Sequence, residues 1–176
     1  MLANGTPMLR AGDEFMNTQR GDPNPYSKDD ESVWLDWRRL ESNPDIFRFF
    51  KHMIAFRKRH PSIGRSGFWS EDVHWYGVDG QPDLSYDSHT IAFFLSGSRI
   101  ADDDLYVMIN AFWQDLDFTI QEGAPNDWHR IIDTAHNAPE DISDANCGEP
   151  LSSISYKVAA RSIVVLVRFR SGKAET

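Results

Sequence analysis

The chain has 176 residues, of which 40% are hydrophobic and 12% aromatic, enough to bury a core and to exclude a disordered chain. Its formal net charge is −9, divided into +1 over residues 1–62 and −10 over residues 63–176. Because acidic surfaces repel phosphates, this distribution excludes nucleic acid and anionic membranes as partners.

Compartment signals in the sequence are few and agree with each other. Cys147 is the only cysteine, so no internal disulfide can form and a reducing compartment is expected. No apolar run approaches the roughly 20 residues that span a bilayer, and Met1–Asn4 has neither the charge nor the apolar length of a signal peptide. The sequence therefore predicts a cytoplasmic protein with no membrane partner.

The first forty residues contain the strongest functional pattern. Thr6 to Ala11 predicts a short strand, and Gly12 allows the backbone to turn into a polar, proline-broken loop. A strand that delivers carboxylates into a long loop is how α/β barrels build substrate sites. Because Tyr26, Trp34 and Trp37 accompany the loop, we expect it to be ordered.

Asp13 and Glu14 are the first candidate site residues. They are adjacent, so in an extended chain their side chains would point to opposite faces. Two carboxyl groups that act together on one bond must both face it from about 5–5.5 Å apart, which this pair alone cannot provide. We expect one of them to brace the loop and the other to face solvent or sugar.

Asp29, Tyr26 and Trp34 are the other candidates. Asp29 could shape an outer sugar subsite beside Tyr26, because aromatic faces suit the apolar C–H surfaces of sugars while their polar edges can hydrogen-bond. Trp34 and Trp37 could serve the same purpose. The alternatives are a solvated acidic loop and tryptophans buried beneath it.

One long helix is predicted after this loop. Asn43 is a typical N-cap, Pro44 fits the first helical position, and Pro61 ends the helix after basic residues that suit its C-terminus. Its apolar residues recur every three or four positions and give a wide face. They are Ile46, Phe47, Phe49, Phe50, Met53, Ile54 and Phe56.

From Phe68 onward the pattern changes to short strands separated by turns, which predicts an antiparallel β-sandwich. The predicted strands are Val73–Val78, Thr90–Leu95, Leu105–Ala111, Leu116–Ile120, Trp128–Asp133, Ile154–Val158 and Ser162–Phe169. The last is continuously apolar over residues 162–167, as expected for a strand buried on both faces. His136 to Pro150 predicts a long polar loop.

No metal or cofactor site is predicted. The six histidines show no zinc-binding spacing, and the sequence has no nucleotide-binding or serine-hydrolase motif. Asp102-Asp103-Asp104 could ligate calcium, but consecutive aspartates lack the alternating spacing of a calcium loop. A solvated loop before a strand is the prediction there.

Several motifs resemble the debranching enzymes of the α-amylase superfamily, which include bacterial glycogen debranching enzymes and isoamylases. In the N-terminal part they are Gly5-Thr6-Pro7-Met8-Leu9, Ala11-Gly12-Asp13-Glu14-Phe15, Thr18-Gln19, Gly21, Asn24, Tyr26, Asp29 and Trp34-Leu35-Asp36-Trp37. In the remainder they are Gly80-Gln81-Pro82-Asp83, Tyr106-Val107-Met108-Ile109-Asn110-Ala111-Phe112-Trp113, Trp128-His129-Arg130-Ile131-Ile132-Asp133-Thr134 and Val158-Ala159-Ala160-Arg161-Ser162-Ile163-Val164-Val165-Leu166. Arg10, Asp22-Pro23 and Pro25 depart from the family pattern.

The resemblance implies a mainly β chain with two parts. Residues 1–62 would be the last strand, long loop and last helix of a catalytic (β/α)8 barrel, and residues 63–176 a C-terminal antiparallel β-sandwich domain. The helix would pack on barrel strands that this chain does not contain, which would leave its aromatic face partly uncovered.

The resemblance also implies a function. The parent enzyme would hydrolyse α-1,6 branch points of glycogen or related α-glucans by a retaining, two-carboxylate mechanism. In that family the three essential carboxylates come from barrel strands four, five and seven. We therefore expect no catalytic residue after Met1 and an inactive isolated chain, whose partners are the N-terminal barrel portion and branched α-glucan.

Two alternatives give the sandwich a role without catalysis. A carbohydrate-binding module would need exposed aromatic side chains, for which Trp69, Trp75, Trp113 and Trp128 are candidates. Of these, Trp113 and Trp128 are predicted to belong to the core. A purely structural domain would instead cover the barrel and keep it soluble through its negative charge.

Overall fold

The computed structural model describes residues 1–143 and 148–170, so Cys147 and the predicted turn Ser171-Gly172 lie outside the described residues. The helices are α1 (Arg38–Ser42), α2 (Pro44–Arg59) and α3 (Pro61–Gly64). The strands are β1 (Val73–Tyr76), β2 (Thr90–Leu95), β3 (Asp104–Asn110), β4 (Leu116–Thr119), β5 (His129–Asp133), β6 (Glu149–Pro150), β7 (Ser155–Val158) and β8 (Ser162–Arg168).

The described strands form two antiparallel sheets. The larger sheet has six strands in the order β1-β2-β3-β8-β5-β6, and the smaller sheet pairs β4 with β7. Strands β2, β3 and β8 form the regular centre, where Val107 lies opposite both Phe93 and Val165. The pairing of β5 with β8 shifts register between Arg130 and Ile132.

Both faces of the large sheet are covered, and strand β8 has apolar residues on both of its faces. Val165 and Val167 join one hydrophobic cluster, whereas Val164 and Leu166 join the other. Successive side chains of a strand point to opposite faces, so a strand with two buried faces must be continuously apolar. The predicted two-faced burial of this strand is confirmed.

Helix α2 covers one face of the large sheet. Its Met53 and Phe56 are buried in a cluster with Phe93, Leu105 and other residues of the central strands. An ion pair between Arg48 and the loop after β5 adds a polar contact. The face of α2 that was expected to be left for barrel strands is therefore partly used inside this chain.

The small sheet covers the opposite face. Phe118 of β4 and Val158 of β7 are fully buried against Tyr106, Met108 and Trp128. The result is three layers, with helix α2 outside, the six-stranded sheet in the middle and the two-stranded sheet on the other side. This mainly β, antiparallel architecture confirms the fold class predicted for the C-terminal part.

Most predicted elements are present, and the structure adds the short helices α1 and α3. All seven predicted strands form, within two residues of their expected ends, and α2 runs from Pro44 to Arg59 as expected. The strand predicted over Thr6–Ala11 was wrong, because no neighbouring strand pairs with these residues and they adopt no regular structure. The two-residue strand β6 lies at the end of the predicted loop 136–150. It is too short for an alternating pattern, and its Pro150 is a residue that rarely indicates a strand.

The prediction of a solvated loop at Asp102–Asp104 was also wrong. All three aspartates are buried, with relative exposures of 0%, 5% and 1%. Asp102 accepts hydrogen bonds from the backbone and hydroxyl of Ser62 at 3.0 and 2.6 Å, and Asp103 accepts one from the Arg170 amide at 3.0 Å. Hydrogen-bond donors from distant parts of the sequence thus replace the water that normally solvates a short run of aspartates.

The buried Asp104 forms an ion cluster with two arginines. Arg168 donates to Asp104 Oδ2 at 3.0 and 2.8 Å, and Arg170 donates to Oδ1 at 3.1 and 2.7 Å. The Arg168 guanidinium also lies 4.9 Å from the ring centroid of Trp128. Burial alone would raise the pKa of Asp104, but the hydrogen bonds from Gly97, Arg170 and Arg168 outweigh it and hold this pKa below its ordinary value.

Candidate functional site

A tight turn positions the start of the candidate site. Gly12 has a φ of +99°, and a Cβ there would lie 2.6 Å from Cβ of Asn17 and 3.0 Å from Leu35. Only glycine combines this backbone conformation with so close an approach. The predicted turn at Gly12 is confirmed, and it leads into a short 3₁₀ turn, Asp13–Phe15, whose Phe15 is completely buried.

Asp13 and Glu14 both stabilise this turn. Asp13 Oδ2 accepts a hydrogen bond from the Arg10 amide at 3.0 Å, and Glu14 Oε2 accepts one from the Gly12 amide at 2.9 Å. Both carboxylates therefore bond to backbone within four residues of themselves. A role of either residue in contacting sugar stays a prediction.

The long loop returns to this turn and is closed by three contacts. Asn17 Oδ1 accepts a hydrogen bond from the Asp36 amide at 3.0 Å, and Arg39 donates to the Met16 carbonyl at 3.0 Å. The Phe15 and Trp37 rings pack with centroids 5.3 Å apart. The expectation that the loop is ordered agrees with these contacts.

Closure of the loop leaves a cleft of about 330 Å³ at its base. The lining combines three arginines, two carboxylates, an indole and smaller polar groups. The lining residues are Asn17, Thr18, Arg20, Glu31, Trp34, Leu35, Asp36, Arg38 and Arg39.

Of the five predicted site residues, the structure brings Trp34 and Asp29 into contact, and only Trp34 lines this cleft. Trp34 lines it, is 55% exposed, and donates its indole N–H to Asp29 Oδ1 at 2.8 Å. Tyr26 is 95% exposed but does not line the cleft. Asp13 and Glu14 do not line it either.

Hydrogen bonds lower the pKa of three carboxyl groups of the loop. The hydrogen bond from Arg38 lowers the pKa of Asp36, the hydrogen bond from Lys28 lowers that of Asp22, and bonds from Ser32 lower that of Asp30. A general acid in glycoside hydrolysis needs the opposite, a raised pKa. These groups suit the acceptance of hydrogen bonds from hydroxyls rather than the donation of a proton.

Sequence reasoning missed the polar lining of the cleft. Arg20, Arg38 and Arg39 showed no local pattern that marks a site, because they meet only when Gly12 and Asn17 close the loop. The order of motifs in the first forty residues was the one available signal. This order of motifs locates the loop, but it does not identify the side chains that line the cleft.

His60, Asp102 and Asp103 have potential metal-binding atoms within 4.8 Å of one another. All three side chains are buried, and their visible bonds explain the grouping without an ion. His60 Nδ1 lies 3.1 Å from Asp102 Oδ1, while the Asp103 amide donates to the same carboxylate at 2.8 Å. The cluster joins the end of α2 to the start of β3.

The architecture is that of an all-antiparallel sandwich domain with a helix and a polar loop packed against it. Solved structures share this fold: a type I pullulanase from Bacillus subtilis in complex with maltose superposes with a TM-score of 0.76 at 21% identity, over 96% of this chain and 22% of that one. A pullulanase from Paenibacillus barengoltzii in complex with maltotetraose gives a TM-score of 0.66 at 27% identity, over 94% and 23% of the two chains.

Sequence comparison gives the family. The isoamylase C-terminal family matches residues 72–167, more than half of the chain, so the chain belongs to this family. An isoamylase from Flavobacterium is 31% identical over 188 residues, which cover 95% of this chain and 24% of that protein. A glycogen operon protein GlgX homologue from Haemophilus influenzae is 47% identical over 83 residues, 47% of this chain and 12% of that one.

The chain thus spans about a quarter of the length of the Flavobacterium isoamylase. The resemblance to isoamylases and glycogen debranching enzymes is confirmed by these relatives. In the part of the chain that the structure describes, no helix is long and apolar enough to cross a membrane.

Proposed function

We propose that this chain acts as the C-terminal part of a glycoside hydrolase that cleaves α-1,6 branch points of glycogen or a related α-glucan. The observation that carries the proposal is the family match over residues 72–167, reinforced by isoamylase similarity along nearly the whole chain. Residues 1–62 would complete the catalytic barrel, and residues 63–176 would form its C-terminal sandwich domain. The catalytic carboxylates would belong to the barrel portion, and the isolated chain would be inactive.

In this proposal the cleft at the base of the loop contacts the glucan. Trp34 offers a half-exposed indole whose orientation is fixed by Asp29, and sugar rings stack on such faces. Asp36 and Arg38 form an ion pair. Its carboxylate oxygens can accept hydrogen bonds from sugar hydroxyls, and its guanidinium N–H groups can donate to them. Tyr26 would contribute an outer stacking surface, while Asp13 and Glu14 would hold the turn beneath the site.

The activity is tested by reducing-end release from glycogen. The chain alone should release none, and a protein in which the barrel portion precedes it should be active. Absence of activity in the longer protein would contradict the proposed reaction, and activity of the isolated chain would contradict the proposed location of the carboxylates.

The role of the cleft is tested by Trp34→Ala in the longer protein. Loss of one stacking surface should raise KM for a branched glucan by up to about tenfold with little change in kcat. Phe68→Ala is the control, because Phe68 is an 89% exposed aromatic residue outside the loop and has no proposed role in binding. An unchanged KM in Trp34→Ala would exclude the indole from substrate binding.

A further inference from the structure

One exposed aromatic cluster lies outside the candidate cleft. Trp113 follows β3 and is 65% exposed, although the sequence predicted that it would belong to the core. Its ring stacks on Phe112 with centroids 4.5 Å apart and an interplanar angle of 27°. The exposed His89 ring, at the start of β2, lies 6.0 Å from Phe112 and 6.5 Å from Trp113.

The loop that presents Trp113 is held by a buried side chain. Asn110, at 1% exposure, accepts a hydrogen bond from the Phe112 amide at 3.0 Å and donates to the Gln114 carbonyl at 2.8 Å. The same amide nitrogen donates to the carbonyls of Val158 and Ala159 at 3.2 and 3.1 Å. One buried side chain thus fixes both sides of Trp113.

The turn between β7 and β8 fixes the same loop from the other direction. The Arg161 amide donates to the Phe112 carbonyl at 3.1 Å, and Asp115 accepts from the Ala160 amide at 3.0 Å. The indole is therefore exposed on a rigid loop. Phe112 covers one face of the ring, so the exposed area lies on its other face and edges.

We propose that Trp113, Phe112 and His89 form a sugar-binding surface on the sandwich that takes a linear α-glucan segment. The choice of an α-glucan rests on the proposed function, whereas the binding surface itself rests on the geometry of these rings. A rigid, exposed indole supported from below offers a flat apolar face for the C–H surface of a pyranose ring at little entropic cost. His89 Nδ1 bonds to the Asp87 carbonyl, so Nε2 of this ring and the indole N–H are the groups that can bond hydroxyls beside it.

Charge and size favour a neutral sugar over other ligands. The chain carries −9 overall, and Asp87 and Asp115 flank the rings in sequence, so a phosphate-bearing polymer would be repelled. A stable protein interface needs about 800 Å² on each partner, far more than two rings and an imidazole can supply. One ring of an α-glucan segment, stacked on the indole, has a size that fits this surface.

The inference is tested on the 176-residue chain by titration with maltoheptaose, with the indole N–H resonances of its six tryptophans as reporters. The Trp113 signal should shift progressively, and should do so equally in Trp34→Ala. An equal shift in the Trp34→Ala variant shows that the sugar binds at Trp113 independently of the cleft of the proposed function. A Trp113 signal that does not move at millimolar sugar would overturn the inference.

A native gel that contains glycogen provides the second test, with Trp34→Ala as the background so that the cleft does not contribute. Trp113→Ala should raise the glycogen concentration needed for half-maximal retardation about tenfold, and Phe112→Leu should raise it less. Phe68→Ala is the control, since this exposed aromatic residue has no proposed role in binding, and it should migrate like its parent. Equal retardation with and without Trp113 would overturn the inference, and thermal unfolding of each variant verifies that it is folded.

Discussion

At the scale of single residues, the aspartates before β3 show how strongly burial depends on distant partners. Asp104 is charged and almost fully buried, yet five hydrogen bonds from Gly97, Arg168 and Arg170 compensate its desolvation. Nothing in three consecutive aspartates indicates this, because the partners lie up to 66 residues away. A solvated loop was the reasonable prediction and the wrong one.

Asp104→Asn should lower the free energy of unfolding by roughly 3 kcal/mol, because it leaves two arginines without their shared counter-ion. Urea unfolding at pH 7 measures the loss. The exposed Glu140→Gln is the control and should change it by less than about 0.5 kcal/mol. A loss below 1 kcal/mol would show that the arginines find other partners.

The same carboxylate should make stability depend on pH. The pKa of Asp104 is lowered in the folded chain, so its contribution is complete above the unfolded pKa of about 3.9 and is lost as the pH falls through the folded value. Unfolding curves between pH 7 and pH 2 should show a stability loss in acid that is smaller in Asp104→Asn. Parallel pH profiles for the two proteins would contradict this assignment.

Gly12→Ala should destabilise the chain by about 1–2 kcal/mol from the left-handed backbone alone, with further loss from contact with Asn17. Gly5→Ala is a matched control in the same segment, since its Cβ would meet nothing within 4 Å. Thermal unfolding of the two variants gives the comparison. Equal melting temperatures would contradict the prediction and would mean that the loop rearranges to accommodate the new methyl group without loss of stability.

At the scale of elements, helix α2 uses two stripes of its apolar surface differently. Met53 and Phe56 are buried against the six-stranded sheet, whereas Phe47 and Ile54 are 40% and 38% exposed. The periodicity of the sequence predicted the helix and the width of its apolar face. It could not distinguish the stripe that packs inside this chain from the stripe that remains open.

Phe56→Ala should therefore lower the free energy of unfolding by about 3–5 kcal/mol, as expected for a phenylalanine that is 1% exposed. Phe47→Ala, on the same helix, should cost less than about 1 kcal/mol. Urea unfolding of both variants at equal concentration makes the comparison. A similar loss in both would contradict the assignment of the two stripes.

At the scale of the whole molecule, strand positions were predictable and their arrangement was not. Alternation and turn residues located β1–β5, β7 and β8, because these signals are local. The order of strands in the sheet, the cover by α2 and the closure of the loop depend on contacts between remote segments. The exposure of Trp113 is of the same kind, because the hydrogen bonds of Asn110 that hold it out join segments nearly fifty residues apart.

The boundary proposed between residues 62 and 63 can be tested by truncation. Because the core cluster combines Met53 and Phe56 with the sheet, a chain that begins at residue 63 should expose an apolar face. We expect it to aggregate or to melt at a lower temperature than the complete chain, as measured by light scattering and thermal unfolding. A soluble fragment of equal stability would show that the helix is dispensable.

The short strand β6 gives the large sheet an edge that resists extension. It has only two residues, one charged and one a proline that provides no N–H for a further strand. Another chain therefore cannot continue the ladder there. Among the described strands, the opposite edge of the large sheet is β1, which has four residues and no proline, so an additional strand that extends this sheet would pair with β1.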